Sequence, residues 1–229
     1  TAAVVTTDNC GGGVTVTALA DITTNVGCVN SYQVIRTYVA ADLCGNTASC
    51  QQTITVNHNT PPTITCAANL TVACATDIPA PNTALVISND NCGGGTTVTL
   101  GGDVISNQVC ANKFTVTRTY IAADACGNSA TCSQTIVVND NIVPVITCPA
   151  NLTVDCGSEP APDITLVVAT DNCTGPVTIS FVADVTVGAE CNYELIRTYI
   201  AADACGNTAT CSQVITVLDT AQLPATIEL

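Results

Sequence analysis

The side chains with the most chemistry to offer are sixteen cysteines, and their spacing repeats. Cys10, Cys28, Cys44 and Cys50 return 82 residues later as Cys92, Cys110, Cys126 and Cys132, and again 79 to 81 residues on as Cys173, Cys191, Cys205 and Cys211. Cys66 and Cys74 return as Cys148 and Cys156. Thiols in such number can ligate a soft metal, exchange electrons or pair with one another. The recurrent close pair is Cys-x5-Cys, Cys-x2-Cys is absent and there is one histidine, so neither a zinc site nor a redox pair is indicated. Pairing is the remaining chemistry, and it requires an oxidising compartment, at the cell surface or outside the cell.

Other chemistry finds little to work with. His58 stands alone in Asn57-His58-Asn59, a position that reads as a solvated junction, and Asp8, Asp90 and Asp171 each precede Asn-Cys as Asx-turn formers. No catalytic residue is expected, and the chain does not read as an enzyme. No cofactor is assigned, with calcium as the alternative: Asn139, Asp140 and Asn141 at a junction, and Asp124 with Asn128 in one turn, offer oxygen ligands to a hard cation. Against it, the corresponding junctions carry His58 and Asp219, so the ligand set does not repeat, and turn capping competes.

The formal charge of −14 comes from 18 acids against Arg36, Lys113, Arg118 and Arg197, which excludes nucleic acid as a partner. No apolar run approaches a membrane span and no signal peptide is recognisable.

The elements that must position the cysteines repeat with them. Arg36 to Asn46, Arg118 to Asn128 and Arg197 to Asn207 each run from a β-branched and aromatic strand into an Asp-x-Cys-Gly-Asn turn. The expected organisation is a truncated repeat at 1–59, complete repeats at 60–141 and 142–220, and a linker or the start of another module at 221–229. Val14, Val16 and Ala18 alternate with threonine, as do Thr96, Val98 and Leu100, and the closing strands place Ile136 with Val138 and Ile215 with Val217 on one face. Period two throughout, with no helical periodicity, predicts an all-β fold of tandem immunoglobulin-like sandwiches. Arg118 shares its parity with the apolar Phe114, Val116, Tyr120 and Ala122, which requires either an edge position or a bulge.

These motifs, with Pro-x-Ile-Thr-Cys at Pro62 to Cys66 and Pro144 to Cys148 and Cys-x-Gln before the last strand, resemble the hyalin-repeat (HYR) type of immunoglobulin-like domain. The cysteine-rich, end-to-end form is similar to repeats of large bacterial surface adhesins exported by the type IX route, gliding-motility adhesins among them. The resemblance implies a secreted, cell-surface stalk or filament that spaces an adhesive tip from the cell, with neighbouring repeats, other copies in a filament and an external surface or polysaccharide as partners. The alternatives are a glycan- or surface-binding module acting through loops at the sandwich ends, or a strand-complemented filament subunit. Asp219-Thr220-Ala221 resembles the short O-glycosylation motif of the same bacterial group, making Thr220 the candidate residue.

An immunoglobulin-like topology implies the pairs Cys66–Cys132 and Cys148–Cys211 between first and last strands, and Cys92–Cys126, Cys173–Cys205 and Cys10–Cys44 at the same end. It leaves Cys74–Cys110 and Cys156–Cys191 for the opposite end. On this scheme Cys28 and Cys50 would find their partners upstream of Thr1, and the 229 residues would be a window from a longer repeating chain.

Overall fold

The computed structural model describes residues 3–9, 11–189 and 192–220, and among them there is no α-helix. The fold is all-β, because alternating Val, Ile and Thr fit a pleated, half-buried surface better than a helix.

The first module contributes β1 (Thr15–Ala18), β2 (Ile22–Cys28), β3 (Ser31–Ala41) and β4 (Thr47–Val56). In the second lie β5 (Thr63–Thr65), β6 (Leu70–Val72), β7 (Ile87–Asn89), β8 (Thr96–Cys110), β9 (Lys113–Asp124) and β10 (Ser129–Asn139). The third repeats that order with β11 (Val145–Thr147), β12 (Leu152–Asp155), β13 (Val168–Thr170), β14 (Thr178–Ala189), β15 (Asn192–Ala202) and β16 (Thr208–Leu218). Each of the last two modules has a four-stranded sheet, β6-β10-β9-β8 or β12-β16-β15-β14, and a two-stranded ladder, β5-β7 or β11-β13. β12 runs parallel to β16 and the other pairs of its sheet are antiparallel. The β11-β13 ladder packs through β11 against β16 and β15, giving the immunoglobulin-like sandwich.

Two compact units form, and each straddles a boundary between sequence repeats. One comprises residues 1–67, 81–102 and 119–134, the other 68–80, 103–118 and 135–229. In the second unit Phe114, Val116, Ile136 and Val138 form a core against Val72, Ala75 and Ile78, while Tyr199, Ala201, Ile215 and Val217 are buried to 1% or less. The buried residues occupy alternate positions along β9, β10, β15 and β16, as period two requires.

The inward arginine is not at an edge, since β9 lies between β10 and β8. Arg118 is 3% exposed, and its guanidinium donates to both Asp103 oxygens at 2.9 Å and to the Pro79 carbonyl at 2.8 Å. Arg197 meets Asp184 in the same bidentate way, at 3.0 and 2.9 Å, from the position directly opposite on β14. The register shift in that module lies on the partner strand, between Phe181 and Ala183, and brings Asp184 into line. A planar fork saturated by carboxylate and carbonyl oxygens is what permits a buried cation in an apolar row.

The first module departs from the other two. Its sheet is β1-β3-β2 with β4 on β3, and no counterpart of β5 or β6 is present among the described residues. Every residue of β3 is half-exposed, where β9 alternates between buried and half-exposed. An open groove of about 380 Å³ runs there, lined by Val14, Val16, Tyr38, Ala40 and Cys50 among others.

The arginine pairs give a graded expectation. Removing the Arg118 fork strands Asp103 and the Pro79 carbonyl, so Arg118→Ala is expected to cost about 2 to 3 kcal/mol, below the range for fully buried pairs because Asp103 keeps solvent contact. The equivalent Arg36–Asp21 pair is more than a third exposed on both sides, so Arg36→Ala should shift the urea midpoint far less. Urea unfolding of both variants with disulfides intact measures this, and equal shifts would show that burial does not set the contribution.

Candidate functional site

The site is built from one turn, repeated three times. In Asp42 to Asn46, Oδ1 of the aspartate accepts the backbone N–H of Cys44 at 2.9 Å and of Asn46 at 2.8 Å, while Oδ2 accepts the Asn46 side-chain amide at 2.7 Å. Asp124 does the same with Cys126 and Asn128, all at 2.8 Å, and Asp203 with Cys205 and Asn207 at 2.7 to 2.9 Å. Gly45, Gly127 and Gly206 sit at φ 86 to 88°, a left-handed conformation in which a Cβ would be strained. Burial pushes the Asp203 and Asp124 carboxyls up, but the asparagine side chain and the turn amides outweigh it and hold both below the ordinary aspartate value. The Asn46 contacts likewise lower Asp42. Such a turn presents its cysteine outward at the module end.

At the first junction, His58 is buried, 7% exposed, and is not the solvated residue that its sequence context suggests. Its Nε2 lies 3.1 Å from Asp90 Oδ1 and 3.0 Å from Asp124 Oδ2, and its Nδ1 lies 3.2 Å from Cys92 Sγ. Its carbonyl accepts the Asn128 amide at 3.1 Å. The reason for the difference is that consecutive modules close on one another here, with Asn30 donating to the Cys92 carbonyl at 3.0 Å.

The second junction follows the plan of the first, with a different residue at its centre and an added bridge at Cys173. Asp140, 2% exposed, takes the place of His58, and its carbonyl accepts the Asn207 amide at 3.3 Å. Asn112 stands where Asn30 does and donates to the Thr174 carbonyl at 3.3 Å. Asp140, Asp171 and Cys173 offer atoms within 4.8 Å of one another, and Asp171 Oδ1 is buried without a hydrogen-bond partner. Asp90 and Asp171 also accept the amides of Cys92 and Cys173, at 3.1 and 3.0 Å, as Asx-turn formers do.

Of the calcium candidates, Asp124 and Asn128 belong to one compact unit and Asn139, Asp140 and Asn141 to the other. Both Asp124 oxygens already serve the turn and His58. Cys173 is in a disulfide, so that cluster supplies two carboxylates, where calcium takes six to eight oxygens.

The bridges correct most of the expected pairing. Cys66–Cys132 and Cys148–Cys211 join first to last strand within a module, with Cα atoms 5.6 and 5.7 Å apart. Cys74 bonds Cys173 and not Cys110, Cys110 bonds Cys205 so that Cys173–Cys205 does not form, and Cys126 bonds Cys28 and not Cys92. Cys44, Cys50, Cys92 and Cys156 are unbonded, against the expected Cys10–Cys44 and Cys156–Cys191; Cys10 and Cys191 lie outside the described residues. Cys28 therefore finds its partner downstream, not upstream. The physical reason is direction. Cys74 and Cys110 reach forward into the following module, whose turns meet them across the junction. The sequence signal for these contacts is the Cys-x-Asn shared by Cys28 to Asn30 and Cys110 to Asn112.

Thr220, the glycosylation candidate, is exposed, and its hydroxyl donates to the Asp155 carboxylate; Ala221 lies outside the described residues.

Residues 62–138 match the family described as the HYR-like domain with 4 cysteines. No curated protein matches the chain. Among solved structures, the chain is similar to the extracellular cadherin domains 3–6 of protocadherin gamma B2, at 14% identity over 90% of this chain and 69% of that one, with a TM-score of 0.34. It is also similar to human mucin-like protocadherin EC1-2, at 14% identity over 69% of this chain and 98% of that one, TM-score 0.27. The human desmocollin-1 ectodomain matches at 14% identity over 83% of this chain and 47% of that one, TM-score 0.27.

The turns make the protein sensitive to acid. A carboxyl held low in the fold contributes stability that is complete above its unfolded value, about 3.9, and is lost as pH falls through the lower folded value. Asn207→Ala removes the largest lowering interaction on Asp203, so its acid transition, followed by circular dichroism, should begin at higher pH than that of the unaltered protein. Coincident acid transitions would refute this role for the asparagine.

Proposed function

We propose that the chain is a spacer: a run of extracellular adhesion-type repeats, at 60–141 and 142–220 with part of another at 1–59, that forms the stalk of a bacterial surface adhesin of the type IX-exported kind. The observation that carries the reading is covalent closure of the junctions. Cys28–Cys126 spans the first, and Cys74–Cys173 with Cys110–Cys205 span the second. These bridges enclose 95 to 99 residues, and closing loops of that size restricts the unfolded chain by on the order of 4 to 5 kcal/mol each. Fixed junctions hold consecutive modules at a constant spacing, which is what a stalk requires. The HYR-like match over 62–138 and an acidic, self-repelling surface accord with an exposed extracellular chain.

Burial weakens the glycan-binding alternative. The chain has five Tyr, two Phe and no Trp, and of these Tyr120, Tyr199 and Phe114 are buried in strands. Tyr193 donates its hydroxyl to Glu159 at 2.5 Å, which raises its pKa to about 12. Few ring faces remain to stack on sugars.

Digestion by proteinase K with and without prior reduction, paired with a glycan screen, tests the spacer. The oxidised protein should survive many times longer than the reduced one and bind no sugar class. Reproducible binding to one class would transfer the function to the loops.

A further inference from the structure

Among the described residues the first module has no counterpart of β5 and β6, and two cysteines, one in it and one across its junction, stand where bonded ones stand in the other modules. Cys50 stands where Cys132 stands, and Cys132 bonds Cys66 at the end of β5. Cys92 stands where Cys173 stands, and Cys173 bonds Cys74, eight residues after Cys66. Both Cys50 and Cys92 are unbonded and exposed, and Cys92 Sγ is held by His58 Nδ1. Between β3, β4 and residues 4–8 lies the groove of about 380 Å³ with Cys50 in its lining.

The sheet beside it is uncovered in the matching places. β6 runs parallel to β10 with Leu70 opposite Ile136 and Val72 opposite Val138, both of them buried. Their counterparts on β4, Ile54 and Val56, are half-exposed. β5 pairs with β7 through Thr63–Asn89 and Thr65–Ile87, and the counterpart of β7, Val5 to Thr7, pairs with no strand among the described residues.

We infer that Cys50, Cys92 and the groove form an acceptor site for one module-opening segment, an extended Ile-Thr-Cys strand with a second cysteine eight residues on. The first cysteine bonds Cys50 within the module and the second bonds Cys92 across the junction. A second copy of this chain is not the occupant, because both such segments here are already engaged, through Cys66–Cys132 and Cys148–Cys211. In each bond two thiols lose two protons and two electrons as the S–S bond forms, and glutathione disulfide accepts them to become two glutathione thiols. The inference rests on the bridge pattern and not on the spacer reading, which stands or falls by digestion and glycan binding.

A synthetic peptide of residues 60–78 mixed with the folded 229-residue chain in a glutathione buffer tests it. Mass mapping under non-reducing conditions should show a one-to-one adduct with the first peptide cysteine on Cys50 and the second on Cys92, the five bridges of the chain being retained. Cys50→Ser should remove the first link and keep the second. A peptide with its apolar residues permuted around the same two cysteines should form at least tenfold less adduct. Reversed pairing, equal capture of the permuted peptide, equal capture by Cys44 or Cys156, multimers of the chain linked through Cys50, or no adduct at all would each overturn the assignment.

Discussion

The structure depends on a carboxylate that accepts two backbone amides and an asparagine side chain at once. In Asp42, Asp124 and Asp203 this arrangement fixes a five-residue turn whose cysteine has no freedom to retreat into its own module. A disulfide requires its two Cα atoms within a narrow range, and the junction bridges have 5.1 to 5.2 Å. In two of the three turns the sulfur so placed is bridged across a junction, as Cys28–Cys126 and Cys110–Cys205. The same asparagine then turns its amide to the neighbouring junction residue, His58 or Asp140, so one side chain serves the turn and the interface together.

How much of this could be read from residues alone follows from what a repeat encodes. Strand parity was legible, because burying one face of a pleated strand forces period two, and β10 and β16 keep Ile136, Val138, Ile215 and Val217 where that parity puts them. The bonds Cys66–Cys132 and Cys148–Cys211 were legible as topology, since first and last strands share an end. Junction bonds were not. A repeat specifies a cysteine's place within its module but is unchanged by moving one module along, so Cys110 with Cys126 and Cys110 with Cys205 look alike in sequence. Only direction in space distinguishes them.

His58 and the arginines fail to be legible for a related reason. A lone histidine between asparagines carries the composition of a loop, yet the packed neighbour brings Asp90 and Asp124 to it. Arg118 breaks the apolar row in sequence, and its partners Asp103 and Pro79 come from 15 and 39 residues away. Replacement of His58 by Asp140 at the next junction exchanges a ring that can carry positive charge for a carboxylate, while the carbonyl contact to the turn asparagine persists. Backbone geometry is thus what the junctions share, and their electrostatics are free to differ.

The Cys28–Cys126 and Cys110–Cys205 bridges also decide how the chain would carry a load. A pull applied before Cys28 and after Cys205 crosses the first bridge, runs back along the sixteen residues from Cys126 to Cys110, and leaves through the second. The two by-passed stretches, 82 residues from Cys28 to Cys110 and 79 from Cys126 to Cys205, would each add on the order of 30 nm if drawn out, and the bridges hold that slack back. Tension is then borne by β9 and two sulfur–sulfur bonds, so that even a module that loses its hydrogen bonds does not lengthen the tether.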